Sequence, residues 1–567
     1  MTKKRLLSNA VWLLLIFLLV PLSVRAQLFE LIPETEDWTV GNADGTTQSI
    51  RRPTHKIHFI MTPQAIDRSR IAQSLVWEFN ERTSKSAAHS YMRARTNLHE
   101  SINGQIRWGY QQLLAQIWDA AEINEVDTDF LTKITVNPVT TWNPFIFQQI
   151  DDDELSEEDR LAKRRNLFLS GVEQKHYDYA RFSLREHPEQ LEAVRQFVEA
   201  SASAFRYLEE GSRCDFCDFG IPFRETNDPF GILIPEIQNM RDLARALSVK
   251  IMLEIHEKRY DDALQSIRVG MAMARHTGKQ PCLVCGLVGI AIQSMMLEHV
   301  QEMINAPDCP NIYWEVSSLP YPFLQMIDSA EIEKQALPQS FPLLRKAMTD
   351  PDAVLDDEWR LMLRQMKEMV DQMNEDAHNN SPLSKLPIKS HVIASYPAAR
   401  QWLLGQGKSV PEVEAMIPEK VVGLHTAYEI RLFYGENFRV AYLPLWEQYD
   451  EDEIWNRRDW TNNLHTMNVF SLRLTNFFLP AMQSARRAYQ RIQLSNDIMR
   501  IAGALRDYAA RHDGQLPESL DDITQVPVPM INPATGKAYH YQLIDGKGQI
   551  EALQLSPAFI VIFEIKK

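Results

Sequence analysis

Four of the five cysteines stand in two pairs that share one spacing. Cys214 and Cys217 lie in "CDFCDFG", and Cys282 and Cys285 lie in "PCLVC". Four thiolates spaced in this way can bind zinc. Zinc sites usually have polar groups around the ligands, however, and the second pair lies in an apolar run. The residues favour disulfides, within the first pair or between the pairs, or buried free thiols. Cys309 makes the count odd, so at least one thiol is unpaired in a monomer.

No other spacing of reactive side chains defines a catalytic site. Thiol exchange is disfavoured because the strand, C-x-x-C and helix order of thioredoxin-like sites is missing. His256 and Glu257 lack the second histidine of a zinc-protease motif, and His299 and His425 are single histidines on apolar faces. Nucleophile-elbow, phosphate-loop and dinucleotide motifs are also missing from the sequence. We therefore predict no cofactor and no resident metal, and the sequence assigns no catalytic residue.

Two short segments combine aromatic residues with prolines. One contains Tyr313 and Trp314, and the other contains Tyr442 and Trp446. Such clusters line a ligand groove between helix pairs or, more often, seal helix ends against a core. These four residues are the candidate groove residues of the chain.

The elements that would position these residues are mostly helices. From Ala65 onward, apolar residues recur at three- and four-residue steps, for example in "IAQSLVWEFNERT" and "GQIRWGYQQLLAQIWDAAEI". Prolines divide the pattern into separate helices. The apolar run 282–296 is short for a membrane span and is predicted to be a buried core helix.

A helix hairpin is predicted for residues 243–276. Tyr260, Ala263, Ile267 and Gly270 match the tyrosine, alanine, bulky and small positions of a tetratricopeptide repeat. The segment therefore resembles that repeat, which implies two closely packed antiparallel helices. No second copy is evident, and a stable repeat array needs about three units.

The last part of the chain changes to alternating apolar residues with turn signals at Thr535-Gly536 and Asp545-Gly546, which predicts a small antiparallel sheet after a helix. A Leu-Pro turn, an Asn-Pro and Gly-Lys element and two tyrosines follow the helix. This order resembles the globular domain of type II secretion pseudopilins and implies that domain's fold. The matching residues are Leu516, Pro517, Asn532, Pro533, Gly536, Lys537, Tyr539 and Tyr541.

Much of the chain also resembles a group of exported, mostly helical bacterial proteins of unknown function that end in this tail. The resemblance lies in "NIYWEVSSLPYP", "GQGKSVPEVEAMIPEKVVGLH" and "YLPLWE", with a looser match around Cys214. It implies export and a helical fold, and it implies no activity.

The N-terminus has the layout of a secretory signal peptide. Lys3, Lys4 and Arg5 precede an apolar stretch, and small residues around Ala26 precede Gln27. We expect a periplasmic or extracellular protein, anchored to the membrane only if the signal is uncleaved. The net charge of -15 argues against nucleic-acid partners.

The predicted fold class is mainly α, a multi-helix array of packed hairpins with a small C-terminal α+β domain. The most plausible function is a non-enzymatic scaffold that binds other envelope proteins, and the alternative is an exported hydrolase with an unrecognised site. The predicted segments are a signal peptide at 1–26, an extended segment at 27–64, a helical domain at 65–376, a linker at 377–395, a second helical segment at 396–483, and a pseudopilin-like helix and sheet at 484–567.

Overall fold

The computed structural model describes most of the chain outside the first residues and one long internal stretch. The predicted signal peptide lies outside the described residues. The described residues are 34–41, 47–102, 184, 191–226, 229, 232–325, 327–376, 386–439, 442–444, 446–447, 468–552 and 558–566.

Helices dominate the described part of the chain, which confirms the predicted fold class of a mainly α protein with a small α+β region at the C-terminus. In chain order they are α1 (Ala88–Ile102), α2 (Leu191–Ala200), α3 (Ala202–Ser212), α4 (Pro235–His256), α5 (Tyr260–Gly278), α6 (Leu283–Asn305), α7 (Tyr313–Ser317), α8 (Ile327–Ser340), α9 (Pro342–Thr349), α10 (Asp356–Asp376), α11 (Ile388–Gly405), α12 (Val410–Glu414), α13 (Pro418–Arg439) and α14 (Val469–Arg511).

Two sheets accompany the helices. Strands β3 and β4 form a two-stranded parallel sheet, and the other five strands form one sheet in the order β1-β2-β7-β6-β5. The strands are β1 (Glu34–Gly41), β2 (Thr47–Met61), β3 (Thr83–Ser86), β4 (Cys214–Phe216), β5 (His540–Ile544), β6 (Lys547–Ala552) and β7 (Ala558–Ile565).

The larger sheet joins the two ends of the chain. Strand β2 pairs in parallel with β7, so that Ile57 lies opposite Val561 and Phe59 opposite Phe563. The sheet is therefore mixed, whereas an antiparallel sheet built from the tail alone was predicted. Strands β5, β6 and β7 are antiparallel as expected. Strand β2, within the predicted extended segment at 27–64, completes the tail's sheet by pairing with β7.

The turns of the tail follow the predicted residues. Helix α14 ends at Arg511, and Asp513 and Gly514 then adopt positive φ angles of 52° and 78°. Asp545 and Gly546 do the same at 51° and 77° and form the two-residue turn between β5 and β6. Positive φ at both central positions is the geometry that favours Asp-Gly in a hairpin.

Helices α4 and α5 form the predicted hairpin and pack on α6. Gly270 of α5 lies against Met296, where an added Cβ would come 2.0 Å from the sulfur. Among the described residues, α6 is the one helix long and apolar enough to cross a membrane, and 89% of its apolar window is buried inside the protein. It therefore fits the predicted core helix.

Buried apolar side chains form two cores among the described residues. The first combines helices α1 to α7 with the C-terminal half of α14 and the large sheet. The second combines α8 to α13 with Phe470. Residues 327–376 therefore pack with the helices that follow them, across the predicted domain boundary after residue 376.

Helix α14 connects the two cores. It runs without a break from Val469 to Arg511, so the predicted boundary between residues 483 and 484 falls inside it. Phe470 lies in the second core, and Ile492 and Leu505 lie in the first. The predicted linker at 377–395 overlaps α11, which begins at Ile388, and residues 377–385 of that linker lie outside the described residues.

Candidate functional site

The second cysteine pair forms a disulfide at the start of α6. Cys282 is the N-cap residue, and its sulfur lies 3.2 Å from the backbone nitrogen of Cys285. The extended backbone of Cys282 followed by one helical turn leaves the two Cα atoms 5.3 Å apart, a distance that a disulfide spans readily. The bond covalently closes the first turn of the core helix.

The first pair remains reduced, which corrects the prediction of a disulfide within "CDFC" or between the pairs. Cys214 and Cys217 are buried free thiols. Cys214 begins strand β4, and an extended chain separates residues three apart by about 10 Å, too far for a disulfide. Burial raises the pKa of Cys217 to about 12, with smaller contributions from Asp218 and Cys214. A thiol held neutral is a poor nucleophile.

A zinc site at the four cysteines is not formed. Two of the four are joined to each other, and the described residues contain no group of three or more histidine, cysteine, aspartate or glutamate side chains arranged to hold a metal ion. Cys214, Cys217, Cys282 and Cys285 are therefore divided into one disulfide and two free thiols rather than gathered as one set of four thiolates.

The two cysteine segments are nevertheless linked through buried polar groups of α5 and the residues after it. His276 Nε2 lies 2.8 Å from the carbonyl oxygen of Cys214, and the Tyr91 hydroxyl lies 2.7 Å from His276 Nδ1. Because a carbonyl only accepts, Nε2 carries the proton and Nδ1 accepts from Tyr91. Gln280 Nε2 donates to the carbonyl oxygen of Cys217 at 2.6 Å. Burial lowers the pKa of His276 to about 3, so the ring is neutral and structural.

The first aromatic pair belongs to the core. Tyr313 is 1% exposed, its hydroxyl donates to the carbonyl oxygen of Pro527, and its backbone packs against Gly503 of α14. Trp314 is half-buried and meets Tyr313 edge to face at 5.2 Å. This pair seals α7 against α14, the more common role of such clusters.

The second aromatic pair lies at the surface. Tyr442 and Trp446 are 50% and 40% exposed. Trp446 covers the turn at Gly536, where an added Cβ would lie 2.9 Å from the indole side chain. The positive φ of Gly536 and the approach of Trp446 both require glycine there. Trp446 thus contacts the tail, and neither aromatic pair lines the groove described next.

A groove lies between two helix pairs, α2 with α3 on one side and α4 with α5 on the other. Its cavity volume is about 280 Å³. Its apolar lining is Val198, Ala202, Phe205, Leu247 and Val269, and its polar lining is Arg206, Glu209, Lys250, Gln265 and Ser266.

The charges of the groove are partly matched within the protein. Lys250 Nζ lies 2.6 Å from Glu254 Oε1 and 2.6 Å from Ser266 Oγ, and it sits 6.0 Å from the centre of the Phe205 ring. Arg206 is exposed at the rim. An apolar floor with a small number of fixed polar groups is the usual composition of a binding site.

A second cluster of ionisable groups joins α13 to the start of α14. His425 Nε2 lies 3.3 Å from Glu429 Oε1, one helical turn away, and the Ser471 hydroxyl contacts Glu429 Oε2. Trp402 stacks on His425 at 5.1 Å and contacts Tyr428 at 4.8 Å. All the polar members are buried or nearly so.

Burial sets the charge states of this cluster. The Ser471 hydroxyl donates to Glu429 Oε2, and the carbonyl oxygen of Asn468 lies 3.0 Å away as a second acceptor. The bond from Ser471 favours the ionised carboxyl group of Glu429, and burial opposes it. Burial raises the pKa of Glu429 to about 7 and lowers that of His425 to about 4. The histidine is therefore neutral, and the carboxyl titrates near neutral pH.

The residues of these sites differ in whether the sequence alone could have identified them. The spacing of His425 and Glu429, four residues apart, places both on one helix face and was visible in the sequence. Ser471 arrives from another helix with no local signal. His276 was also missed, because a histidine on a buried helical face has no motif.

Comparison with protein-family models, with curated proteins and with solved structures finds no match to this chain.

Proposed function

We propose that this chain is an exported, non-enzymatic helical protein that binds other proteins of the cell envelope through the groove between α2–α3 and α4–α5. The observation that carries the proposal is the groove itself. It combines apolar side chains from four helices with a charged rim at Arg206, Glu209 and Lys250. Desolvated apolar contacts surrounded by polar groups are what protein partners use as anchor sites.

The chemistry of the buried sites supports a binding role over catalysis. The thiol of Cys217 and the ring of His276 are neutral across physiological pH, for the pKa values given above. Neither can serve as an activated nucleophile or as a base poised near neutral pH. The tetratricopeptide-like hairpin of α4 and α5 forms one wall of the groove and contributes side chains to it.

Filling the groove tests the proposal. Ala202 is exposed and lines the groove, so Ala202→Trp should block a partner without disturbing the core. Ala394 is exposed on α11, outside the groove, and Ala394→Trp is the matched control. A photo-crosslinker at Gln265 should join the protein to an envelope protein, and Ala202→Trp should remove that product while Ala394→Trp keeps it. An identical crosslink in all three proteins would refute the groove as the binding site.

One observation favours the alternative of an exported hydrolase. Glu429 is a buried carboxyl group with its pKa raised to about 7, which suits a general acid. The Ser471 hydroxyl and His425 Nε2 both contact this carboxyl group. Hydrolysis of ester, peptide or glycoside substrates that is abolished by Glu429→Gln would establish this function, and activity equal in both proteins would exclude Glu429.

A further inference from the structure

Four arginines gather around the start of the "CDFC" segment. Arg213 and Arg268 lie on the Trp77 ring, with their guanidinium carbons 4.0 and 4.9 Å from the ring centre. Arg82 precedes strand β3, and Arg275 lies two turns beyond Arg268 on α5. Such a concentration of positive charge stands out in a chain with a net charge of -15.

Three of these arginines have carboxylate partners. The pairs are Arg82 with Asp215 at 3.2 Å, Arg213 with Glu209 at 2.8 Å, and Arg268 with Glu81 at 3.6 Å. Arg275 is the exception, since its guanidinium makes no hydrogen bond or ion pair to any residue that the structure describes, and its Nε atom is buried. Glu78 adds a further negative charge near Arg268, so Arg275 is the member of the cluster whose guanidinium lacks a direct carboxylate partner among the described residues.

The surroundings of Arg275 disfavour its charge. Burial lowers the pKa of the guanidinium, and the nearby charge of Arg82 lowers it further, against smaller opposing effects from Tyr91 and Asp215. A partly buried guanidinium without a partner is costly because it has lost water without gaining a counter-charge. Arg275 is nevertheless only partly buried, so a ligand can reach it from solvent.

We propose that Arg275, with Arg82 beside it, forms a binding site for a small oxyanion. A guanidinium presents paired N–H groups that match two oxygens of a carboxylate, phosphate or sulfate. This site does not depend on the groove or on its partner.

The test is a titration of the purified full-length protein at constant ionic strength, with sodium chloride replaced by acetate, phosphate or sulfate. Binding is followed by the melting temperature and by calorimetry. We expect saturable binding of at least one oxyanion, about tenfold or more tighter than chloride. Arg275→Gln should weaken that binding about tenfold, and Arg364→Gln, at an exposed arginine of α10, should leave it unchanged.

A second variant makes the outcome independent of whether Arg275→Gln folds. Asp215 is the carboxylate that competes for Arg82, so Asp215→Asn should strengthen oxyanion binding. The oxyanion that binds tightest identifies the class of ligand. The proposal is overturned if no oxyanion binds saturably, if Arg275→Gln folds and binds as well as the unaltered protein, or if Asp215→Asn weakens binding.

Discussion

At the scale of single residues, helix α14 contains a buried amide side chain that lacks hydrogen bonds within the described part of the chain. Gln493 of α14 is fully buried, and neither its amide nitrogen nor its amide oxygen has a hydrogen-bond partner among the residues that the structure describes. Gln293 of α6 and Asn496, also buried, are joined by a bond of 3.1 Å. A buried amide without partners has lost its hydrogen bonds to water and gained none in the protein.

Gln493→Met should therefore stabilise the protein, by about 1–2 kcal/mol, because it removes an unsatisfied amide and keeps the volume. Urea unfolding followed by circular dichroism measures the change. Gln280→Met is the matched control, since Gln280 is equally buried but donates to the carbonyl oxygens of Cys217 and His276. It should destabilise the protein. Destabilisation by both variants would show that Gln493 has partners in solution.

At the scale of elements, helices α5 and α6 approach each other at two glycines. A Cβ at Gly289 would lie 2.7 Å from the Cα of Gly278 and 2.8 Å from the carbonyl oxygen of Ala274. These neighbours are backbone atoms, so the contact cannot be relieved by a side-chain rotation.

Gly289→Ala should lower the free energy of unfolding by about 1–3 kcal/mol, because it forces the two helices apart. Thermal and urea denaturation check the value. Gly405→Ala provides the comparison, since Gly405 ends α11 with nothing within 4 Å of its added Cβ. There the substitution should be neutral or stabilising, as alanine restricts the unfolded chain. Equal effects at the two sites would contradict the packing argument.

The contact between α13 and α14 should depend on pH through Glu429. Its pKa is about 7 in the folded protein against an ordinary value of 4.5, so the folded state binds the proton more tightly. The stability that the protonated carboxyl contributes is present below pH 4.5 and is lost as the pH rises through 7. His425, with its lowered pKa, acts in the opposite sense, because stability is lost as the pH falls from 6.5 towards 4.

Glu429→Gln keeps the neutral form at every pH and isolates this effect. Relative to the unaltered protein, the variant should be more stable at pH 8 than at pH 5 by about 1–3 kcal/mol. Urea unfolding at the two pH values measures the difference, in which the His425 contribution largely cancels. A difference that is independent of pH would mean that the carboxyl is ionised throughout.

At the scale of the whole molecule, the fold is closed by strands from opposite ends of the chain. Ile57, Phe59 and Met61 of β2 are 5%, 0% and 0% exposed, and Phe59 stacks on Phe563 of β7 at 5.3 Å. Without β2, strand β7 would present an unpaired apolar edge, which invites association with other chains.

A chain that begins at Thr62 should consequently be destabilised by more than about 3 kcal/mol, since each large buried side chain contributes about 1.5–3 kcal/mol. Thermal unfolding and light scattering should show a lower melting temperature and association. A chain that begins at Thr47 loses β1, the edge strand, but keeps the other described strands, and should retain the stability of the first core. Equal behaviour of the two truncated proteins would argue that β2 does not complete the sheet.

The sequence predicted several helices and turns of this protein correctly because neighbouring residues determine them. The hairpin of α4 and α5, the buried helix α6 and the Asp-Gly turns of the tail follow from helical periodicity and from residues that tolerate positive φ. The two cysteine pairs have the same spacing in the sequence, so the spacing alone could not show which pair forms a disulfide. The backbone decided it, because Cys282 and Cys285 lie at the start of a helix whereas Cys214 begins a strand.

The contacts between elements that are distant in the sequence were evident only in the tertiary structure. The pairing of β2 with β7, the two cores joined by α14, the groove between the helix pairs and the meeting of Ser471 with Glu429 all bring together residues far apart in the chain. No periodicity or motif encodes such contacts, because they depend on which apolar faces cover each other once every element has formed. By itself, the sequence determined the mainly helical class and the local turns, while the packing of those faces decided where its candidate sites lie.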